Sequence, residues 1–335
     1  MRLGFWPPVY GNWIISTQPE TRNASFEYTK RATLLAERLG FQTLLLAEHF
    51  MNPVAPEMEQ LDASTTASAL AAVTERIEIL TAVKPGFRAP GVIAKMASNI
   101  DHISQGRFAV NLVSAWWLPE FEMLGAPVLR HDDRYARSEE FLTVIKGSWT
   151  QEKFTFSGKY FTVKDATLSP KPVQQPHPPI YIGGESEQGR RLGAKMADIF
   201  LINGRRLGEI KGIIQDVQGL AAEHGRQLRF GMSAFVICRD TEREALAEFE
   251  RLVALRKAEI IGADTEVVMI KMVPYAAREV GTNGGIAAGL VGTAPQIAER
   301  MLAFEAIGVE TFFLQFHPVI EELERFGETV MPLLR

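Results

Sequence analysis

Residues 77–114 read IEILTAVKPGFRAPGVIAKMASNIDHISQGRFAVNLVS, and their reading decides the fold. Ile77–Val83 is a short apolar run rich in β-branched residues, which predicts a strand. Proline and glycine then break the chain, and Gly91–Ser104 carries the period of a helix. Gly106–Val113, GRFAVNLV, is again a strand. A strand, a crossover helix and a second strand pair in parallel, because the crossover returns the chain to the same edge.

The same alternation extends in both directions. On the N-terminal side it predicts strands at 2–7 and Thr43–Leu46, with helices over 26–39 and Ser64–Val73. On the C-terminal side it predicts a helix over Arg134–Trp149, a strand at Ile180–Ile182 and a helix over Glu187–Met196. A strand at Asp198–Leu201, the helix Leu207–His224 and a strand at Arg229–Ile237 follow. Helices over Thr241–Ile261 and Ala294–Ile307, a last strand at Thr311–Phe316 and a helix over 318–334 close the chain. About eight strand–helix units favour a closed (β/α)8 TIM barrel, an α/β fold, over an open doubly wound sheet. One domain, 1–335, holds them all.

Three stretches interrupt the alternation: 114–133, 151–179 and 262–290. Loops after barrel strands gather at the C-terminal mouth, where active sites are built. The aromatic and proline-rich 151–179 stretch predicts a small hairpin. The glycine-rich 262–290 stretch is expected to act as a lid.

Composition bounds the function. The chain has 335 residues, 46% hydrophobic and 23% charged, which supports a large core. A net charge of −4 gives no footprint for nucleic acid, and no basic cluster marks a membrane surface. Cys238 is the single cysteine, so no internal disulfide forms. The N-terminus lacks the pattern of a signal peptide, so a soluble, cytoplasmic protein is expected. Clustered metal-ligand spacings, GxSxG, a Walker loop and a GxGxxG after a strand are all missing from the sequence.

The chemistry-bearing residues lie at predicted strand ends. Gly183-Gly184-Glu185-Ser186 follows a strand and opens a helix, where free N–H groups and a hydroxyl suit a phosphate. A plain helix cap reads equally well. Tyr135, at a helix start, is placed to hold the same phosphate. Asn111 and Ser114 end the strand FAVNLVS; an amide among Val and Leu must find partners. His49 follows the second strand and His317 the last, both positions for a general base or hydrogen-bond donor. A structural bond from His49 to neighbouring Glu48 is the alternative.

Taken together, residues 74–149, from TERIEIL through AKMASNIDHISQGR, NLVS and HDDRYARSEEF to KGSW, resemble the bacterial-luciferase-like flavin monooxygenases. GNWIIST, PPIYIGGESEQG, LVGTAPQIAERM and FGETVMPLLR extend the resemblance over nearly the whole chain. It implies reduced FMN and O2 as co-reactants and a separate NAD(P)H-dependent flavin reductase as partner. A homodimer or homotetramer is implied on the same ground. Carried over residue by residue, Tyr135 and Ser186 match the phosphate positions, and Asn111 and Ser114 the strand facing the flavin ring. Gly183 and Gly184 match the adjoining turn, which also holds Glu185, whose charge suits a dianion only if its side chain points away. Sulfonate-oxidising members carry an Arg and a His where this chain has Ser233 and Phe235. That departure favours a neutral substrate such as a sulfone, with C–S cleavage, although Lys84 or Arg88 remains a source of charge. The EHF segment at His49 is closer to luciferases than to the sulfone or sulfonate enzymes. Trp6, Trp13, Trp116 and Trp117, with Ser233 and Phe235, are the expected walls of the substrate pocket. A pyrimidine-ring monooxygenase and an F420-dependent oxidoreductase of the same superfamily are the alternatives.

Overall fold

The computed structural model describes residues 1–7, 24–52, 59–184, 186–255, 272–275, 278–281 and 284–334. Trp13, Glu185 and much of the 262–290 stretch lie outside them. The strands are β1 (Arg2–Phe5), β2 (Thr43–Leu46), β3 (Glu78–Val83), β4 (Phe108–Leu112), β5 (Phe154–Ser157), β6 (Thr162–Ala166), β7 (Ile180–Gly183), β8 (Ile199–Asn203), β9 (Arg229–Phe235), β10 (Ile237–Cys238), β11 (Met272–Tyr275), β12 (Arg278–Gly281), β13 (Val291–Gly292) and β14 (Val309–Gln315). The helices are α1 (Phe26–Leu39), α2 (Ala63–Val73), α3 (Pro90–Ile103), α4 (Pro119–Met123), α5 (His131–Thr150), α6 (Glu187–Met196), α7 (Leu207–Ala222), α8 (Glu242–Leu255), α9 (Ala294–Ala306) and α10 (Val319–Thr329).

Eight parallel strands close in the order β1-β14-β9-β8-β7-β4-β3-β2, so the predicted TIM barrel is the fold. Alternation along the strands separates two cores. Leu45, Leu80, Ala109, Tyr181, Ile199 and Phe313 fill the barrel interior. Their neighbours Leu44, Ile79, Val110, Ile182 and Leu314 belong to the larger core shared with the helices. Closure packs strands tightly where side chains are missing: a Cβ on Gly4 would lie 2.6 Å from Thr43 Cγ2, and one on Gly231 2.7 Å from Leu201 Cδ2.

Polar side chains seal the floor. Arg2 donates to the Tyr181 hydroxyl (3.3 Å) and pairs with Glu78 (3.4 Å). The hydroxyls of Tyr181 and Thr43 donate to Glu78 Oε1 at 3.0 and 3.1 Å. Each buried group thereby has a partner, as a low-dielectric interior requires.

Two predicted elements change shape, and the end of a third lies outside the described residues. The strand expected over Arg229–Ile237 leaves the barrel after Phe235, and β10 pairs instead with β13. The helix expected over Thr241–Ile261 is described as far as Leu255. The closing helix ends at Thr329 and continues as a 3-10 turn over Met331–Leu334. In the 151–179 stretch, β5 and β6 form the expected hairpin. It is fastened to α5, because Glu140 accepts the backbone N–H groups of Lys159, Tyr160 and Phe161.

The part of the 262–290 stretch from 284 onward is a wedge seated on the barrel end. Ile286, Ala287 and Ala288 are buried. Gly285 has φ +73, and a Cβ there would lie 2.6 Å from the Ser233 carbonyl oxygen. Gln315 donates to the Gly284 carbonyl at 3.1 Å. Among the described residues, no helix is long and apolar enough to cross a membrane.

Candidate active site

The turn after β7 has the geometry of an anion cradle. Ser186 caps α6, its hydroxyl accepting the Gly189 N–H at 3.1 Å and donating to the Tyr135 hydroxyl at 3.1 Å. Gly184 sits at φ +153, a backbone state that side chains rarely adopt. A Cβ there would stand 3.2 Å from Gly189 Cα and 3.3 Å from the Tyr135 hydroxyl. Only glycine therefore lets the turn lie against the first turn of α6, whose free N–H groups attract an anion. Burial raises the Tyr135 phenol above its ordinary value, so it stays a hydrogen-bond donor. An open groove of about 870 Å³ begins here, lined by Ser186, Arg134, His131, Lys159 and Tyr160 with the acids Asp132, Asp133 and Glu140.

Two narrow cavities, about 60 Å³ each, adjoin at the barrel mouth and share Trp6, Leu45, Asn111 and Val113 as lining. One reaches Gly183, Gly184, Asn203 and Ser233. The other reaches Glu48, His49, Lys84 and Trp116. Asn111 shares the inward register of Ala109, two residues before it on β4. Among the described residues, Asn111 Oδ1 and Ser233 Oγ are both buried without a hydrogen-bond partner. Orphaned polar atoms carry a desolvation cost of roughly 1–3 kcal/mol each, so a pair of them lining a cavity marks a ligand site.

An ionic cluster underlies the second cavity. Lys84 Nζ is bonded to Glu120 Oε1 and lies 3.0 Å from His49 Nδ1. Glu120 Oε2 is 3.4 Å from the same Nδ1. Glu48 turns the other way: it accepts the Lys84 backbone N–H and pairs with Arg88 at 2.7 Å, which also holds Asp62 at 2.8 Å. Burial, assisted by the Lys84 charge, pulls the His49 ring down to about 4, so it is neutral at physiological pH. Burial pushes Glu120 up, but Lys84 and His49 outweigh it and hold the carboxyl down at about 2. Burial pushes Glu48 up to about 7 against the pull of Lys84 and Arg88. Burial also draws Lys84 below the ordinary lysine value, opposed by Glu120 and Glu48. Trp116 and Trp117 enclose the ring, with centroids 5.4 and 6.1 Å from that of His49.

The structure thus brings Asn111, Ser233, Trp6, Gly183, Gly184 and His49 to one mouth. Other candidates stand elsewhere. Ser114 Oγ bonds Ser138 Oγ on α5 at 2.9 Å, tying β4 to the helix that carries Tyr135. Phe235 packs with Ile237, Phe249 and Ile286 in a satellite core and lines neither cavity. The cause is the 284–290 wedge, which covers the end of β9. His317 is buried beyond β14 and lines neither cavity. Glu120 escaped the sequence reading; its signal was a carboxylate embedded in the aromatic run WWLPEF.

Fold and site together are those of a barrel whose mouth suits a largely apolar ligand with an anionic tail. The family described as luciferase-like monooxygenase matches residues 5–311. The chain belongs to this family. It is 37% identical to the FMNH2-dependent dimethylsulfone monooxygenase of Pseudomonas putida, over all of this chain and 95% of that protein. Identity to the protein of the same name from Pseudomonas fluorescens is 33%, over all of this chain and 94% of that one. The crystal structure of DmoA from Hyphomicrobium sulfonivorans superposes with a TM-score of 0.80 at 20% identity, covering all of this chain and 88% of that one.

Proposed function

We propose that the protein is a two-component monooxygenase that takes reduced FMN from a separate NAD(P)H-dependent reductase and uses O2 to oxidise a small neutral organosulfur compound. The observation that carries this reading is the orphaned pair Asn111 Oδ1 and Ser233 Oγ, in a slot that leads to the Gly184–Ser186–Tyr135 cradle. These residues fit FMN. The cradle suits its phosphate, and the amide and hydroxyl suit the polar edge of its ring. The redox chemistry would come from FMN, which when bound in its reduced form would supply the two electrons that O2 needs. The chain itself binds, orients and excludes water: Trp6, Leu45, Val113 and Trp116 wall the slot. The two cavities together are smaller than a flavin ring, so the walls part on binding.

Charge accounting selects the substrate class. Among the described residues, Lys84 is the cation lining the slot, and Glu120 already neutralises it. A sulfonate in this dry cavity would lack a cation of its own, whereas a sulfone needs only hydrogen-bond donors. For dimethylsulfone, one O2 and one reduced FMN yield methanesulfinate, formaldehyde, water and oxidised FMN. One C–S and one C–H bond of a single methyl group break, its carbon leaves as the C=O of formaldehyde, and the second oxygen atom of O2 leaves as water.

The test supplies reduced FMN and O2 with dimethylsulfone, methanesulfonate, ethanesulfonate or uracil, and titrates F420 separately. Equimolar methanesulfinate and formaldehyde from the sulfone alone is the expected result. Turnover confined to uracil or the sulfonates, or tight F420 binding without FMN binding, would overturn the reading. Resemblance to the family also supports a homodimer or homotetramer, which light scattering measures directly.

A further inference from the structure

The ionic cluster beside His49 is more than a means of burying charge. An ammonium donates through every N–H and accepts nothing. Lys84 Nζ, at 3.0 Å, therefore makes His49 Nδ1 the acceptor, and the hydrogen of the neutral ring resides on Nε2. Alone, Glu120 would have the opposite effect: a carboxylate 3.4 Å from Nδ1 favours a proton there and a charged ring. Lys84 stands between these outcomes, because it satisfies Glu120 and donates to Nδ1 at once.

We propose that Lys84 and Glu120 are a positioning pair that holds His49 as the neutral Nε2–H tautomer, a fixed hydrogen-bond donor on the wall of the barrel mouth. Glu120 keeps the lysine charged in a buried place; the lysine in turn masks Glu120 from the ring. The side chains of His49, Lys84 and Glu120 are 5%, 1% and 0% exposed, so water cannot substitute for any member. Three different elements contribute. His49 follows β2, Lys84 follows β3, and Glu120 comes from α4 in the 114–133 stretch. Among the described residues, the remaining charges packed against the cluster are engaged with one another, Glu48 with Arg88 and Arg88 with Asp62. The tryptophans facing the ring carry no charge. The downward displacement of the ring to about 4 agrees with this arrangement.

The test reads the ring directly. Long-range 1H–15N correlation of the 15N-histidine-labelled protein, with His49 assigned by loss in His49→Gln, distinguishes the two tautomers and the charged form. The native ring is expected to show the Nε2–H pattern unchanged from pH 8 to 5. In Lys84→Met the unmasked Glu120 should charge the ring at pH 7, and the acid limb of kcat/KM should move up by at least about one pH unit, a ~10-fold loss on its acid side. Lys84→Met/Glu120→Gln should return the ring to neutrality and the limb to its native place. The double variant leaves no buried unpaired charge, so it remains informative if the single variant fails to fold. A native ring that is Nδ1–H, or that charges near pH 6.5, overturns the proposal; so does a Lys84→Met ring that titrates as in the native protein. The kinetic arm rests on the monooxygenase reading, whereas the spectroscopic arm stands without it.

Discussion

At the floor of the barrel, Arg2, Thr43, Glu78 and Tyr181 consume one another's hydrogen-bonding capacity. At the mouth, Asn111 and Ser233 bury polar atoms that nothing among the described residues satisfies. The same eight strands make both ends, and similar residue types occur at each. The floor closes a packed interior and its polar groups repay their own desolvation. The mouth leaves that cost standing until a ligand supplies the missing partners. Polar residues inside this barrel therefore divide by satisfaction rather than by type, and the proposed function places the site at the unsatisfied end.

The largest expected effect belongs to the floor. Glu78→Ala strips the acceptor from Arg2, Tyr181 and Thr43 together, and should lower stability by about 3 kcal/mol. Reduced-FMN affinity should stay at the native value once the variant is folded. Urea denaturation and an anaerobic flavin titration check the two halves. A stable variant with weakened flavin binding would erase the distinction between the ends.

A smaller effect is expected at the cradle, where backbone geometry serves both folding and binding. Gly184→Ala forces a side chain into φ +153 and against Gly189 and Tyr135. It should cost about 2 kcal/mol of stability. It should also weaken reduced FMN more than riboflavin, because riboflavin lacks the phosphate. Equal losses for both ligands would show that the turn does not hold the phosphate.

How much of this was legible in the sequence follows the same division. All eight barrel strands could be read, because alternation of short apolar runs with helical periods is a local signal. The departure of β10 was not legible: it depends on pairing Ile237 with Val291, 54 positions away in the chain. Tyr135, Ser186 and Asn111 were legible as polar residues at strand ends and helix starts. The partners of His49 were not legible. The sequence offered neighbouring Glu48 only as an alternative, and adjacent residues in extended chain point to opposite sides. Lys84 and Glu120 reach the ring through the fold, from a second strand end and a short helix.

The most direct test of the contrast between the two ends is Asn111→Leu, measured once for stability and once for reduced-FMN binding. Removing a buried amide whose oxygen is unsatisfied should leave the unfolding free energy within about 1 kcal/mol of native. Reduced-FMN affinity should fall by ~10-fold, roughly 1.4 kcal/mol. A variant that binds reduced FMN as the native protein does, or that unfolds as readily as Glu78→Ala, would contradict the account.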